Sequence, residues 1–213
     1  MKILQHHPTL AALALFVTLP VWPVLAEAPA IPNFHQVNDH VYRGGQPPAD
    51  SWPSLAALGV KTVIDLRRED EHSSAAEAQV VAAAGMKYVN VPMKGVVAPS
   101  NEQIAKVLTL LNSGEPVFVH CKRGADRTGA VIACYRIAHD NWQRAQALKE
   151  AKSHGMGMVQ FGLKSYIMAF QPTMVGLAPR ASGGGDSQRG ISALAGQAVP
   201  GALPATEAAA VDQ

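Results

Sequence analysis

The chain has 213 residues and a formal net charge of +2 at pH 7. A charge this small excludes the broad positive field that general nucleic-acid binding requires, so we expect no nucleic-acid partner. The length leaves room for one domain of ordinary size once the two unusual terminal segments are set aside.

The amino-terminal segment is typical of a bacterial secretory signal peptide. Lys2 supplies a positive charge, residues 10–25 are largely apolar, and Ala26 ends a small-residue cleavage site. We therefore predict that residues 1–26 are removed and that the mature protein is periplasmic or secreted. The alternative is a retained membrane anchor, which two prolines within the apolar run disfavour. No later segment is apolar enough to predict a membrane span.

After a short linker at 27–33, strand-like and helix-like patterns alternate along the chain. Apolar runs predict strands, and capping residues followed by apolar positions at helical spacing predict helices. The predicted strands are a strand-turn-strand over 34–43 and single strands at 61–66, 87–91 and 116–120; the predicted helices cover 52–58, 73–84, a segment opening at 100, 128–139, 142–153 and 160–170. This alternation predicts an α/β fold, a single domain with a central, mostly parallel sheet flanked by helices.

The composition changes at residue 172. Residues 172–213 are rich in alanine, glycine and proline, contain no aromatic residue and show no sustained amphipathic period. Such a segment cannot bury enough apolar surface to offset the entropy lost on ordering. We predict a disordered tail there, and a folded domain over 34–171.

The segment from His120 to Gly129 carries the candidate chemistry. The predicted strand at 116–120 leads directly into Cys121, and a helix-compatible run follows from Thr128. A cysteine in a tight loop before a helix N-terminus meets backbone N–H groups and the positive end of the helix dipole, which favour a bound anion. Arg127 can offer its planar fork to two phosphate oxygens. The predicted phosphate-binding loop consists of Lys122, Arg123, Gly124, Ala125, Asp126 and Arg127.

This loop resembles the signature loop of cysteine-dependent phosphatases, in the atypical dual-specificity branch of the protein tyrosine phosphatase superfamily. Five residues separate Cys121 from Arg127, and Thr128 follows. Segments 42–47 and 63–67 are also similar to parts of the small bacterial, fungal and plant members. The resemblance, which extends over 34–170, implies a dual-specificity phosphatase-like fold and hydrolysis of phosphate monoesters through a phosphocysteine intermediate.

The residues of the loop suggest a role for each group. Cys121 is the expected nucleophile, and Arg127 with the loop N–H groups is expected to hold the equatorial phosphate oxygens. Thr128 is expected to donate its hydroxyl to the Cys121 sulfur, the alternative being a simple helix cap. His120 is expected to orient the loop through hydrogen bonds to the backbone.

The expected general acid is missing. Relatives often place an aspartate on a loop before the cysteine, but residues 91–99 contain no carboxylate. Asp126, directly before Arg127, is the candidate substitute, and a structural salt bridge is the alternative role. A good leaving group such as a pyrophosphate needs little protonation, so the missing acid favours such substrates.

Other charged residues follow predicted strands at the same edge of the sheet. Arg67, Arg68, Lys122 and Arg123 are candidates for contacting a substrate with several phosphates, and a solvated basic surface is the alternative. Asp65 is expected to stabilise its loop through hydrogen bonds.

The substrate is predicted to be a phosphorylated protein or a small polyphosphorylated molecule. For the first, the expected activity is that of an exported protein tyrosine or dual-specificity phosphatase; for the second, that of an inositol polyphosphate or pyrophosphate phosphatase, which the resemblance also allows. A non-catalytic phosphate-binding module is a further alternative, although it has no need of the thiol. A rhodanese-like sulfurtransferase would have a loop one residue shorter. We expect no metal, no cofactor and a monomer.

The two cysteines raise a separate question. An even number in an exported protein suggests a disulfide. Here it would tie the loop to the helix that follows, so Cys134 is interpreted as a core residue. A regulatory disulfide between Cys121 and Cys134 is the alternative.

Overall fold

A computed structural model of the chain describes residues 29–178. Within them the strands form one five-stranded sheet of order β1-β2-β5-β3-β4. The strands are β1 (His35–Gln36), β2 (Val41–Gly44), β3 (Thr62–Asp65), β4 (Lys87–Asn90) and β5 (Val117–His120). The β1–β2 pair is antiparallel and the other pairs are parallel. The predicted α/β fold with a mostly parallel sheet is confirmed.

Helices connect and cover these strands. In the described residues they are α1 (Trp52–Ala57), α2 (Ser74–Ala83), α3 (Asn101–Leu111), α4 (Asp126–His139), α5 (Arg144–Ser153) and α6 (Phe161–Ala169), with short 3-10 helices at Glu69–Glu71 and Pro172–Val175. The first 3-10 helix was not predicted from the sequence. It lies just after β3, at the edge of the sheet where the candidate loop is found.

Side-chain caps fix two of the helix starts. The Ser73 hydroxyl accepts from the Ala76 N–H at 3.2 Å at the start of α2. At α3, Ser100 and Gln103 form a reciprocal capping box, with hydrogen bonds of 3.2 and 2.8 Å. The helix α4 begins at Asp126, earlier than the predicted Thr128, because the loop turns directly into its first helical turn.

The sheet is buried on both faces. Val63 and Phe118 face one apolar layer together with α1 and α2. Ile64 and Val119 face the other, larger layer, which contains α3 to α6. Helix α4 is buried along almost its whole length. The loop between β5 and α4 is therefore supported by the central strand and the most buried helix.

Both ends of the described segment pack against the domain. Ile31, in the predicted linker, is buried. Residues 172–178, the start of the predicted tail, include a 3-10 helix, and Val175 and Leu177 pack against the core. These contacts hold residues 172–178 against the domain.

The predicted signal peptide at 1–26 and the remainder of the predicted tail, 179–213, lie outside the described residues. From residue 29 to residue 178, no helix combines the length and the apolar character that a membrane crossing needs.

Candidate active site

Cys121 lies at the carboxyl end of the central strand β5. Its side chain is buried, with 2% of the residue exposed. The strand ends at His120 and α4 begins at Asp126, so residues 121–125 form a short loop at the edge where parallel sheets bind their ligands. The structure thus brings Cys121 and Arg127 together across this loop. Cys121 and Cys134 are both free thiols.

The backbone of this loop presents a row of hydrogen-bond donors. In the described part of the chain, the N–H groups of residues 122–127 have no acceptor. Such donors, gathered at the first turn of a helix, form a site for an oxyanion. The arrangement fits the phosphate-binding loop predicted from the sequence.

The Gly124 carbonyl fastens the loop to the amino-terminal part of the domain. It accepts from Arg43 Nη2 at 2.7 Å and from Asn33 Nδ2 at 3.0 Å. Gly124 has φ +69°, and a Cβ there would lie 2.4 Å from the Gly44 carbonyl carbon. Only glycine fits this close approach without moving the backbone. Segment 42–47, noticed in the sequence only as a similarity, therefore supports the loop directly.

Two buried guanidinium groups interact with Cys121. Burial lowers the pKa of Arg43 to about 10, although interactions with Glu150 and Cys121 act to raise it. Burial also works to lower the pKa of Arg127, but contacts with Glu71 and Cys121 outweigh it and hold that pKa above its usual range. Both groups are cationic at neutral pH and give the loop a positive potential that favours a bound anion.

In this structure Arg127 is paired with Glu71, from the 3-10 helix after β3. Arg127 Nη2 donates to Glu71 Oε1 at 3.0 Å, and Nη1 donates to the other carboxylate oxygen. Nη1 also donates to the Met93 and Leu66 carbonyls at 3.2 and 3.3 Å. Hydrogen bonds from Arg127 hold the pKa of Glu71 below its usual range, despite partial burial.

The Glu71 carboxylate therefore engages the guanidinium fork that the sequence assigned to phosphate oxygens. Sequence reasoning did not identify this residue. The available signal was the acidic run 69–71, which directly follows Arg67 and Arg68 at the carboxyl end of a predicted strand.

Asp126 is engaged through both carboxylate oxygens. Oδ1 accepts from the Gly157 N–H at 2.8 Å, and Oδ2 pairs with Arg123. These contacts tie the start of α4 to the segment that precedes α6. They correspond to the structural role considered as the alternative to general acid catalysis.

Two predicted contacts of the loop differ in the structure. Thr128 Oγ1 is buried and has no hydrogen-bond partner in the part of the chain that the structure describes, so the expected donation to Cys121 is not formed. The His120 ring lies between Phe118 and Trp52, and its Nε2 is 2.9 Å from Glu77 Oε1. His120 thus faces a side chain of α2 and not the loop backbone, because β5 directs it into the layer beneath the sheet.

The surroundings of Arg67 favour a structural role, and its contact with a substrate stays a prediction. The residue is 6% exposed. Its Nε and Nη2 donate to the two Asp65 carboxylate oxygens, each at 3.0 Å, and Nη2 also pairs with Glu77. The guanidinium is held inside the domain by two carboxylates. Asp65 has the structural role expected of it and also accepts from the Tyr88 hydroxyl at 2.9 Å.

The same network contains atoms that resemble a metal-ligand set. One atom each of Asp65, His72 and Glu77 lies within 4.8 Å of the others. The Arg67 guanidinium already bridges the two carboxylates, and its positive charge opposes a divalent cation there. These residues are better described as a buried ion-pair network.

The remaining predicted cations lie on the surface. Arg68 pairs with Asp70, and both side chains are well exposed. Arg68 and Lys94 line an open cavity of about 560 Å³ that also includes Gln103. In the loop, Lys122 and Arg123 are exposed. These side chains are free to meet a substrate in a way that Arg67 is not.

Comparison with known proteins decides the family. The family model described as DSP-PTPase phosphatase fused to NAD+ kinase matches residues 26–167. The chain belongs to this family of cysteine-dependent dual-specificity phosphatase domains.

Relatives within the superfamily come from bacteria and plants. The dual specificity protein phosphatase TpbA of Pseudomonas aeruginosa is 32% identical over 141 residues, which cover 65% of this chain and 61% of that protein. The inositol diphosphatase DSP2 of Oryza sativa is 32% identical over 114 residues, which cover 49% of this chain and 53% of that protein. The chain thus spans about three fifths or less of the length of these relatives.

Solved structures share the dual-specificity phosphatase fold. The crystal structure of P. aeruginosa TpbA matches with a TM-score of 0.58 and 25% identity, covering 71% of this chain and 95% of that one. The core catalytic domain of the PP-IP phosphatase SIW14 from S. cerevisiae, in complex with citrate, matches with a TM-score of 0.59 and 25% identity, covering 68% and 90%.

Proposed function

We propose that the chain hydrolyses phosphate monoesters at Cys121. The observation that carries this proposal is the loop 122–127, whose N–H groups have no acceptor in the described residues and which leads from the buried Cys121 into α4. An oxyanion bound to these donors would have its phosphorus next to the sulfur. A packing loop has no use for such a set of donors.

The reaction has two steps. The Cys121 thiolate attacks phosphorus, an S–P bond forms, and the ester P–O bond breaks with its electron pair on the leaving oxygen, which takes a proton. Water then attacks phosphorus, the S–P bond breaks, and inorganic phosphate and the thiolate are released. Arg127 and the loop N–H groups hold the phosphoryl oxygens in both steps.

Binding of the substrate requires an exchange at Arg127. Its fork is paired with Glu71, so a phosphate group must displace that carboxylate or share the guanidinium with it. The displaced Glu71 then faces an anion instead of a cation, which raises its affinity for a proton. Glu71 is therefore, beside Asp126, a second candidate for protonating a leaving group.

The first substrate class we propose is a phosphorylated protein. TpbA is a dual specificity protein phosphatase by name, and one of its crystal structures is a complex with phosphotyrosine. The second class is an inositol polyphosphate or pyrophosphate, as in the plant inositol diphosphatases and SIW14. The cavity lined by Arg68 and Lys94 supports this second class, because these two cations could meet further phosphate groups, although Glu69 also lines it.

Export of the protein is also part of the proposal. It rests on the charged start, the apolar run 10–25 and the small-residue end at Ala26. Expression of the full chain in a bacterium, followed by cell fractionation and mass measurement, tests it. A periplasmic product that begins after residue 26 is expected, and an uncleaved cytoplasmic product contradicts it.

A substrate panel tests the chemistry. Wild type, Cys121→Ser and Cys134→Ala are compared on an aryl phosphate, a phosphotyrosine peptide and an inositol pyrophosphate. Cys121→Ser should lose at least about a thousandfold in kcat because it removes the nucleophile. Cys134→Ala, which changes the other buried thiol, should keep the activity. Equal activity of the two variants contradicts the mechanism.

The general acid is tested with Asp126→Asn. The amide oxygen can still accept from Gly157, so the clamp on the loop is retained while the acid is lost. If Asp126 is structural, rates on esters with good and poor leaving groups change by the same small factor. A loss confined to poor leaving groups identifies Asp126 as the acid.

A further inference from the structure

An exposed apolar surface lies next to the catalytic loop. We call it the apolar rim and define it as Val96, Val97, Met158, Val159 and Phe161. Their exposed fractions are 57%, 46%, 86%, 66% and 72%, respectively. Large apolar side chains gathered in this way on a protein surface mark a site of interaction.

The rim is built by two segments that flank the loop. One follows Met93, whose carbonyl accepts from Arg127. The other follows Gly157, whose N–H donates to Asp126. The two segments also touch each other, since a Cβ on Gly162 would lie 2.7 Å from Val97 backbone atoms. The five side chains therefore form one surface beside the phosphate-binding loop.

The two segments that build the rim carry charge of one sign. Residues 94–99 and 157–164 contain two lysines, Lys94 and Lys164, and no acidic residue. Lys164 Nζ donates to the Met158 carbonyl at 2.8 Å, which places its ammonium group beside the most exposed rim residue. The exposed Lys122 and Arg123 of the neighbouring loop add to this positive charge.

Acidic groups near the rim are already engaged. Glu69 shares the cavity of Lys94, but it is hydrogen-bonded to Ser74. Glu71 is paired with Arg127. An apolar surface on two segments that carry only cations matches the chemistry of an anionic lipid surface, which offers hydrocarbon below a negatively charged layer.

We propose that the apolar rim docks onto an anionic lipid surface. Exposed apolar side chains and lysines on the same two segments favour an anionic lipid surface over a peptide partner. Met158 and Phe161 are 86% and 72% exposed, and such side chains are suited to insertion between lipid headgroups. Docking would turn the catalytic loop towards phosphate groups displayed at that surface. The proposal concerns binding and does not depend on the proposed phosphatase activity.

Vesicle binding of the full chain tests this proposal. Wild type, a Met158→Ser/Phe161→Ser variant and a Val80→Ser control are mixed with phosphatidylcholine vesicles with and without phosphatidylglycerol. The control residue is 45% exposed and lies on α2, an element that contributes no residue to the rim. Losing two large apolar side chains should weaken binding to anionic vesicles by about ten- to a hundredfold. The control should bind like wild type, and added salt should weaken binding.

A second measurement separates the rim from the apolar amino-terminal segment. Phe161→Trp and Val80→Trp are each compared with wild type by the extra tryptophan emission they contribute. On anionic vesicles, the emission from position 161 should shift to the blue and be quenched by brominated lipid, and the emission from position 80 should not. Activity of Phe161→Trp on a soluble aryl phosphate should remain at the wild-type value.

Three results would overturn the proposal. The first is equal vesicle binding by the rim variant and the control, with no emission shift at position 161. The second is a loss by the rim variant of kcat/KM on phosphopeptides with apolar flanking residues while vesicle binding stays unchanged, which would assign the rim to a peptide. The third is conversion of a dimer into a monomer by the rim substitutions, which would assign it to contact between two copies.

Discussion

Arg127 and Arg67 each hold a carboxylate at the same edge of the sheet, yet their surroundings differ. Arg67 is enclosed with Asp65 and Glu77, whose side chains are 0% and 7% exposed. Arg127 pairs with Glu71, whose side chain is 26% exposed and lies on a short 3-10 helix. The carboxylate partners of Arg67 are thus more enclosed than the carboxylate partner of Arg127. This difference separates an arginine that holds the fold from one that is available to a ligand.

The largest expected effect is the loss of activity in Arg127→Ala. Removing the guanidinium should lower kcat/KM by about a thousandfold, because phosphoryl oxygens lose their bidentate donor. Hydrolysis of an aryl phosphate at saturating and limiting substrate measures this loss. The free energy of unfolding should fall because the hydrogen bonds to the Leu66 and Met93 carbonyls are lost, but by less than in Arg67→Ala, since Glu71 is left where water can solvate it. A variant that keeps full activity would remove the distinction between the two arginines.

Arg67→Ala should have the opposite profile. It leaves Asp65 and Glu77 buried without their cation, so the free energy of unfolding should fall by about 3–5 kcal/mol. Urea unfolding followed by circular dichroism measures the change. The folded fraction should keep its kcat, because the Arg67 guanidinium is hydrogen-bonded to Asp65 and Glu77 and to no loop residue in the described part of the chain. If Arg67→Ala is stable and inactive instead, Arg67 contacts the substrate after all.

A smaller effect is expected in how the free energy of unfolding depends on pH in the acid range. Burial works to raise the pKa of Asp65, but hydrogen bonds and charge interaction from Arg67 and His120 outweigh it, so that pKa lies below its usual range. The pKa of Glu71 is also lowered, by Arg127. A carboxyl with a lowered pKa stabilises the fold above its unfolded value, about pH 4, and this contribution is lost as the pH falls through the folded value.

Unfolding free energy should therefore decline below about pH 4, with a shallower slope in Asp65→Asn than in wild type. Urea titrations at a series of pH values measure the slopes. Glu71→Gln should change the slope less, because its pair is partly solvated. An unchanged slope in Asp65→Asn would contradict the assignment of this carboxylate to the buried ion pair with Arg67.

The smallest effect is expected for Glu71→Gln in phosphate binding. The neutral amide competes less for Arg127, so inorganic phosphate should inhibit with an inhibition constant about two- to fivefold lower than in wild type. Glu69→Gln, which changes a neighbouring carboxylate that does not contact Arg127, is the control. Weaker phosphate binding in Glu71→Gln would mean that Glu71 positions Arg127 and does not compete with the ligand.

Much of this arrangement could be predicted from the sequence. The spacing of apolar residues predicted the strands and helices and hence the layered α/β fold. The spacing of Cys121 and Arg127 predicted the loop. Both signals are local in the chain. The partners of the arginines were not predictable in this way. Arg67 and Arg68 are neighbours in sequence, and only the packing of α2 decides that one is buried and the other exposed. Glu71 meets Arg127 across 56 residues, a contact that no periodicity encodes.

The hydrogen bonds of Asn33 have a consequence for how the domain folds. Its Nδ2 donates to the Gly124 and His154 carbonyls, contacts that span 91 and 121 residues along the chain. Contacts of such long sequence separation form late, since the intervening chain must first be ordered. The loop thus acquires its final shape only when the two ends of the domain have met. A partly folded chain therefore carries the cysteine but not the assembled phosphate-binding loop.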